Sequence, residues 1–199
     1  MVASVGARGF AATTLTDIVG RARVSRSTFY DHFSNKEHCF IEAVHAGMDI
    51  IRTRIREEMD RLPAEADPGT QLASTIITLC SVIAAEPDFA RLILVESLQV
   101  DDLAVGFRNF AVHRFTLQCR RFHDQARLAD PNLPELSDAL ISLVPDAISE
   151  RTRRVLISDG AGKVPELAPV FVEFACTVLG LRPPADIPRD PGLPPMTMV

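Results

Sequence analysis

An all-α fold follows from three features of the sequence. Apolar residues recur at spacings of three and four along nearly the whole chain, the period that lines one face of a helix. Strand signals are nearly absent: there is no long alternating run, no Asn-Gly hairpin turn, one Tyr and no Trp. Proline, glycine and asparagine breaks cut the apolar pattern into segments of helical length. The chain has 199 residues, 47% hydrophobic and 24% charged, with a net charge of -5. That is enough to bury a core, and it excludes the collagen-like, low-complexity and disulfide-scaffold classes.

In chain order, Thr14 with Asp17 three residues on has the form of a helix N-cap, and it opens a helix over 15–22. Residues 23–25 form a tight turn, and Ser25 caps a second short helix over 26–33. Ser34 followed by Glu37 reads as a capping box that starts a long helix over 36–62. There Ile41, Val44, Met48, Ile51, Ile55, Met59 and Leu62 make one stripe, with Glu42, Asp49, Arg52 and Arg56 off it. At 1.5 Å per residue this helix is about 40 Å long and can bridge two domains. Pro63 ends it, and a helix over 70–85 follows with apolar residues on every face, which places it centrally. Further helices are expected over 88–99, 102–127 and 135–158, with Pro145 kinking or splitting the last because it lacks an amide proton. A final helix over 165–180 stops at Gly180, and six prolines in the following nineteen residues predict a disordered tail.

Two short helices joined by a tight turn form a helix-turn-helix unit, the second helix narrow enough to enter a major groove. Ile18, Val19, Ala22, Val24, Phe29, Phe33, Cys39 and Phe40 supply a small core, leaving Arg26, Ser27, Thr28, Tyr30, Asp31 and His32 outside. That outer set is rich in groups that bond base edges and phosphates. Residues 1–38 carry a net +2, which leaves -7 on the remainder: a mildly basic end on an acidic body.

Gly9-Phe10, Thr13-Thr14, Ile18, Val24-Ser25, Thr28-Phe29-Tyr30, His32-Phe33 and Lys36-Glu37, taken together, resemble the signature of the TetR family of bacterial transcriptional regulators. The resemblance implies a helix-turn-helix DNA-binding domain over 1–45, a helical effector-binding and dimerisation domain over 46–181, and the proline-rich tail over 182–199. It implies that Thr14, Tyr30, His32 and Lys36 touch phosphates of an operator duplex, while Arg26, Ser27 and Thr28 face bases. It also implies an effector pocket among the helices from 36, 70 and 102, with Met48, Thr78, Cys80, Phe107, Phe110, His113 and Phe122 as lining candidates. Their apolar and aromatic character suits an apolar or aromatic small molecule. Regulators of this kind act as homodimers, and repression relieved by the effector is the expected mode. The terminal apolar helix and the two stripes of segment 135–158, Leu136-Leu140-Leu143-Ala147 and Ile141-Val144-Ile148-Val155, fit a core face and a partner face.

The chain departs from the family pattern twice. Arg23 stands where the family usually has glycine, so a side chain meets a left-handed turn at a cost of about 1 kcal/mol. Only residues 1–8 precede Gly9, so the expectation is either a start upstream of Met1 or a shortened first helix and a weakened headpiece. The rival reading is therefore a helical ligand-binding or interaction protein whose headpiece no longer holds DNA.

Other chemistries find little support. Cys39, Cys80, Cys119 and Cys176 are far apart without CxxC or zinc spacing, the pattern of reduced, buried thiols in a cytoplasmic protein. No signal-peptide layout opens the sequence, and the uncharged stretch 68–85 carries Gln71, Ser74, Thr75, Thr78 and Ser81, so a core helix is expected there and no membrane partner. His38, Glu42 and His45 share a helix face that reads as solvated, with no metal. Gly160-Ala161-Gly162-Lys163 lacks the first glycine, the closing Ser or Thr and the preceding strand of a phosphate loop. No nucleophile elbow or catalytic carboxylate pair can be assigned, so neither an enzyme nor a cofactor is expected.

Overall fold

The computed structural model describes residues 1–99 and 102–186, without the side chains of 98, 99, 102–105, 107 and 108. The described residues contain no strand. The headpiece comprises α1 (Val2–Arg8), α2 (Leu15–Ala22), α3 (Arg26–His32) and the start of α4 (Lys36–Asp60). The body adds α5 (Pro68–Ala85), α6 (Pro87–Leu94), a 3-10 turn Glu96–Gln99, α7 (Asp102–Ala129), α8 (Asp138–Ser158), a second 3-10 stretch Ala161–Leu167 and α9 (Ala168–Leu179).

Local chemistry sets most boundaries. Asp67 caps α5 through Oδ1, which accepts from the amides of Gly69 and Thr70 at 2.9 and 3.1 Å, while Pro68 takes the first helical position. Ser137 caps α8, its Oγ accepting from the Leu140 amide at 3.2 Å, so this helix starts three residues later than its apolar pattern suggests. Gly180 ends α9 in the left-handed conformation, φ 66° and ψ 30°. The expected cap at Ser34 is corrected: Asn35 caps α4, its Oδ1 accepting from the His38 amide at 2.7 Å. The Ser34 amide donates instead to His38 Nδ1 at 3.2 Å.

Proline acts differently at two places than its sequence position suggests. α8 runs unbroken through Pro145, which is buried between Val144 and Ile148. The single lost backbone bond is outweighed by this packing. The expected helix over 165–180 is divided instead, because Pro165 lies in the 3-10 stretch and Pro169 sits in the first turn of α9. The helix expected over 88–99 is likewise shorter, ending at Leu94 before the Glu96–Gln99 turn. Most of the expected disordered tail, residues 187–199, lies outside the described residues.

Three apolar clusters hold the chain together. The main one surrounds α5, where Leu72, Ile76 and Cys80 pack with Phe122, Ile141, Val144, Val172 and Leu179. α5 is long and apolar enough to cross a membrane, yet 56% of it is buried inside the protein, as a central core helix requires. The second cluster, Val5, Phe10, Phe40, Val44, Ile51, Val82, Phe89 and Leu92, joins headpiece to body. The third, Ile18, Val19, Phe29 and Cys39, fills the headpiece. Ala22 and Val24, expected in that core, are exposed because the turn carries them outward. All four cysteines are buried and free, and burial pushes the Cys80 and Cys119 thiols up to about 12. They stay protonated and unreactive at neutral pH.

Arg23 is the one non-glycine residue with positive φ among the described residues, at φ 57° and ψ 39°. The side chain therefore meets the left-handed backbone that its place in the turn predicts. Arg23→Gly is expected to raise stability by about 0.5–1 kcal/mol, the relief of steric strain exceeding glycine's extra freedom in the unfolded chain. A rise in the urea midpoint at constant slope is the measurement that checks it.

Candidate nucleic-acid interface

The reading unit is built by reciprocal caps. Thr14 and Asp17 form a full capping box: Asp17 Oδ2 accepts from the Thr14 amide at 2.9 Å and from its hydroxyl at 2.6 Å, and Thr14 Oγ1 accepts from the Asp17 amide at 3.3 Å. The bonds from the Thr14 hydroxyl and amide hold the Asp17 carboxyl below the usual carboxylate range. Ser25 Oγ accepts from the Thr28 amide at 3.0 Å and opens α3. Between the helices the Val24 amide donates to Val19 O at 3.1 Å, closing the turn over residues 23–25.

α3 is anchored by one side chain. Phe29 is 4% exposed and stacks with Phe33 at 5.2 Å, whereas every other residue of α3 is exposed. Arg26, Ser27, Thr28, Tyr30 and His32 therefore stand outside as their spacing predicts, and so does Thr14 at the start of α2. Tyr30 is 57% exposed and rests its ring edge-on against Phe29 at 5.6 Å, which directs a bulky polar side chain outward without burying it. Arg26 Nη2 donates to Thr16 Oγ1 at 2.8 Å, so the first residue of α3 is braced by α2.

Lys36 sits differently. Its Nζ donates to Phe10 O at 3.0 Å and Thr13 O at 3.1 Å, and lies 4.1 Å above the Phe10 ring. Two of its three N–H groups are thus spent on the loop between α1 and α2, which makes Lys36 a brace of the headpiece before anything else. Sequence reasoning missed Arg8 and Arg21, which tie α1 to α2 through Asp17 Oδ1 at 3.0 Å and Ala3 O at 2.6 Å. It also missed Glu96 of the body, whose Oε2 accepts from the Phe10 amide at 2.8 Å. The signal for Glu96 was a lone acid between Val95 and Ser97 in an otherwise apolar segment.

The effector-lining candidates whose side chains are described are not brought to one place. Cys80 and Phe122 belong to the main core, Thr78 is buried within α5, and Met48 packs on the second cluster. Phe110 is 56% exposed, and the side chain of Phe107 lies outside the described residues. Among the described side chains of this set, His113 alone lines a groove of about 480 Å³ between α7 and α8, with Asn109, Thr116, Leu117, Arg120 and Ser142. An apolar stripe on a central helix reads the same whether it faces core or cavity, and here it faces core.

The two stripes of segment 135–158 separate in part, since Leu136, ahead of α8, packs on the main core. Ile141, Val144, Ile148 and Val155 are buried, while Leu140 and Leu143 are exposed. α9 packs on α8 and leaves Val170 and Phe174 exposed in turn.

Residues 2–43 match the bacterial regulatory proteins of the tetR family. No curated protein matches the chain. Its fold is similar to that of the transcriptional regulator FadR of Bacillus subtilis, solved in complex with stearoyl-CoA, at 18% identity and TM-score 0.74 over 87% of this chain and 92% of that one. A tetR-family regulatory protein from Rhodococcus aligns at 18% identity and TM-score 0.70 over 91% and 93% of the two chains. The ketosteroid transcriptional regulator of Mycobacterium tuberculosis aligns at 20% identity and TM-score 0.59 over 90% and 89%. The tetR-family match thus lies on the headpiece, residues 2–43, and the fold of the chain is similar to that of solved regulators of that kind.

Proposed function

We propose that the protein is a cytoplasmic homodimeric repressor that reads an operator through α3 and is released from it by an apolar small molecule. The observation that carries this reading is the exposed polar face of α3, where Arg26, Ser27, Thr28, Tyr30 and His32 stand outward on a helix that buries Phe29. Arg26 and its two neighbours lie at the helix N-terminus, the end that approaches base edges in this type of unit, so they are assigned to bases. Thr14, Tyr30 and His32 are assigned to phosphates, with Lys36 supporting the loop behind them.

A dimer is supported by the exposed apolar residues shared by α8 and α9, since a self-complementary patch is what a two-fold interface uses. The effector class is supported by the company the fold keeps: a FadR bound to stearoyl-CoA and a ketosteroid regulator. The first ligand carries a long acyl chain and the second name points to a polycyclic skeleton, both with large apolar parts.

Selection of duplexes from a random pool by the purified protein tests the reading. One palindromic site should emerge. On that site Arg26→Ala is expected to lose about 1–3 kcal/mol and to relax preference at a single position, whereas Tyr30→Ala weakens specific and random duplexes alike. Failure of the wild-type protein to enrich any duplex would return the chain to the rival reading of a binding module without DNA. Equal losses for Arg26→Ala on selected and random duplexes would remove it from the base-reading set.

A further inference from the structure

The loop between α1 and α2 is gripped from both sides. From the headpiece, Lys36 takes the carbonyls of Phe10 and Thr13 at 3.0 and 3.1 Å. From the body, Glu96 takes the Phe10 amide at 2.8 Å. The N–H and the C=O of Phe10 are thus both in charge-assisted bonds, one to an anion and one to a cation, carried by different parts of the chain. Glu96 is 2% exposed, and its other oxygen lies 3.3 Å from Nε of Arg91, which is half exposed.

Gly9 is what lets the carboxylate in. It has φ 78°, and a Cβ there would lie 3.1 Å from Glu96 Oε2. Two other glycines, one on α1 and one on α4, bring these helices close to α6. A Cβ on Gly6 would lie 2.4 Å from Asp88 Oδ1, and one on Gly47 would lie 1.9 Å from the Phe89 ring. The rest of this junction is apolar: Val5, Phe10, Phe40, Phe89 and Leu92. Apolar contact is non-directional and permits sliding, whereas a buried hydrogen bond to a charge fixes position.

We propose that Glu96 is the latch that sets the angle of the headpiece on the body, and so is a positioning residue for DNA reading. It occupies the Glu96–Gln99 turn, through which the chain passes from α6, packed on α1, toward α7, which lines the groove at His113. Displacement of that turn moves the Phe10 amide, then the Thr14 cap four residues on, and with it α2 and α3.

The test uses the full-length protein with Glu96→Ala and Glu96→Gln. The first readout is amide hydrogen exchange, which needs no DNA. Glu96→Ala should speed exchange at Phe10 by roughly tenfold or more while leaving the core amide of Ile76 unchanged. Glu96→Gln keeps an acceptor for the Phe10 N–H and should stay near wild type.

The second readout rests on the DNA-reading assignment. A selected duplex with two half-sites requires both headpieces at fixed spacing; a duplex with one half-site does not. Glu96→Ala should weaken the first by about tenfold and leave the second within about twofold. Unchanged exchange at Phe10, equal losses on both duplexes, or a Glu96→Gln protein as impaired as Glu96→Ala would each overturn the latch. A wild-type protein that enriches no duplex overturns the DNA assignment, and Phe10 exchange then decides the contact alone. If Glu96→Ala does not fold, Glu96→Asp, a carboxylate one methylene short of Phe10, carries the same readouts.

Discussion

Phe40→Ala is expected to cost about 3–5 kcal/mol of stability, a large part of what a domain of this size possesses. Phe40 lies in the first turns of α4, fully buried, with the Phe10 ring edge-on at 5.0 Å and an interplanar angle of 73°. It belongs to the cluster that also holds Val5 of α1, Val44 of α4 and Phe89 and Leu92 of α6, so truncating it opens a void where headpiece and body meet. Neighbours on four helices can close such a void only by moving relative to one another, which the Phe10 clamp by Lys36 and Glu96 resists. The cavity therefore stays largely open and the cost lies toward the upper end. Urea unfolding measures it, with Leu128→Ala as the control: Leu128 is 85% exposed, and its loss should change stability by less than about 0.5 kcal/mol. A Phe40→Ala loss as small as that of the control would show that the headpiece packs on the body elsewhere.

What the sequence made legible was whatever is decided within a few residues. The Thr14–Asp17 box, the Ser25 cap and the three-residue turn are all local and stand as the spacing predicts, and Arg23 is left-handed as the family resemblance implies. The burial of Phe29 and the exposure of Tyr30 follow from helical period alone. Where two cap-forming residues are adjacent, as at Ser34 and Asn35, spacing cannot choose between them. The His38 ring, by accepting from the Ser34 amide, is part of what settles it. Lys36 and Glu96 show the deeper limit. Both work on Phe10, across 26 and 86 residues of chain, and no periodicity encodes which backbone group a charged side chain will reach. The effector candidates meet a related limit: Cys80 and Phe122 pack in the main core, and composition does not distinguish a lined cavity from a filled core.

The second large effect concerns the proposed dimer. Leu143→Glu combined with Phe174→Glu is expected to leave each protomer folded and to separate the pair. Leu143 is 54% exposed and Phe174 36% exposed in the single chain, so a carboxylate at either position remains solvated in the monomer. In a two-fold interface each substitution occurs twice, which brings four carboxylates together against an apolar surface that cannot solvate them. Affinity for a two-half-site duplex should then fall by roughly a hundredfold or more, because the second headpiece no longer binds at the effective concentration its partner provides. Sedimentation gives the assembly state, and anisotropy on one-site and two-site duplexes gives the binding. Ile148→Glu serves as the contrast: it places a charge at a position 3% exposed in the main core and should unfold the protomer outright. A double variant that still sediments as a dimer would move the interface off α8 and α9. Phe110 and Leu117, exposed on α7 where it forms one wall of the groove at His113, are then the alternative face.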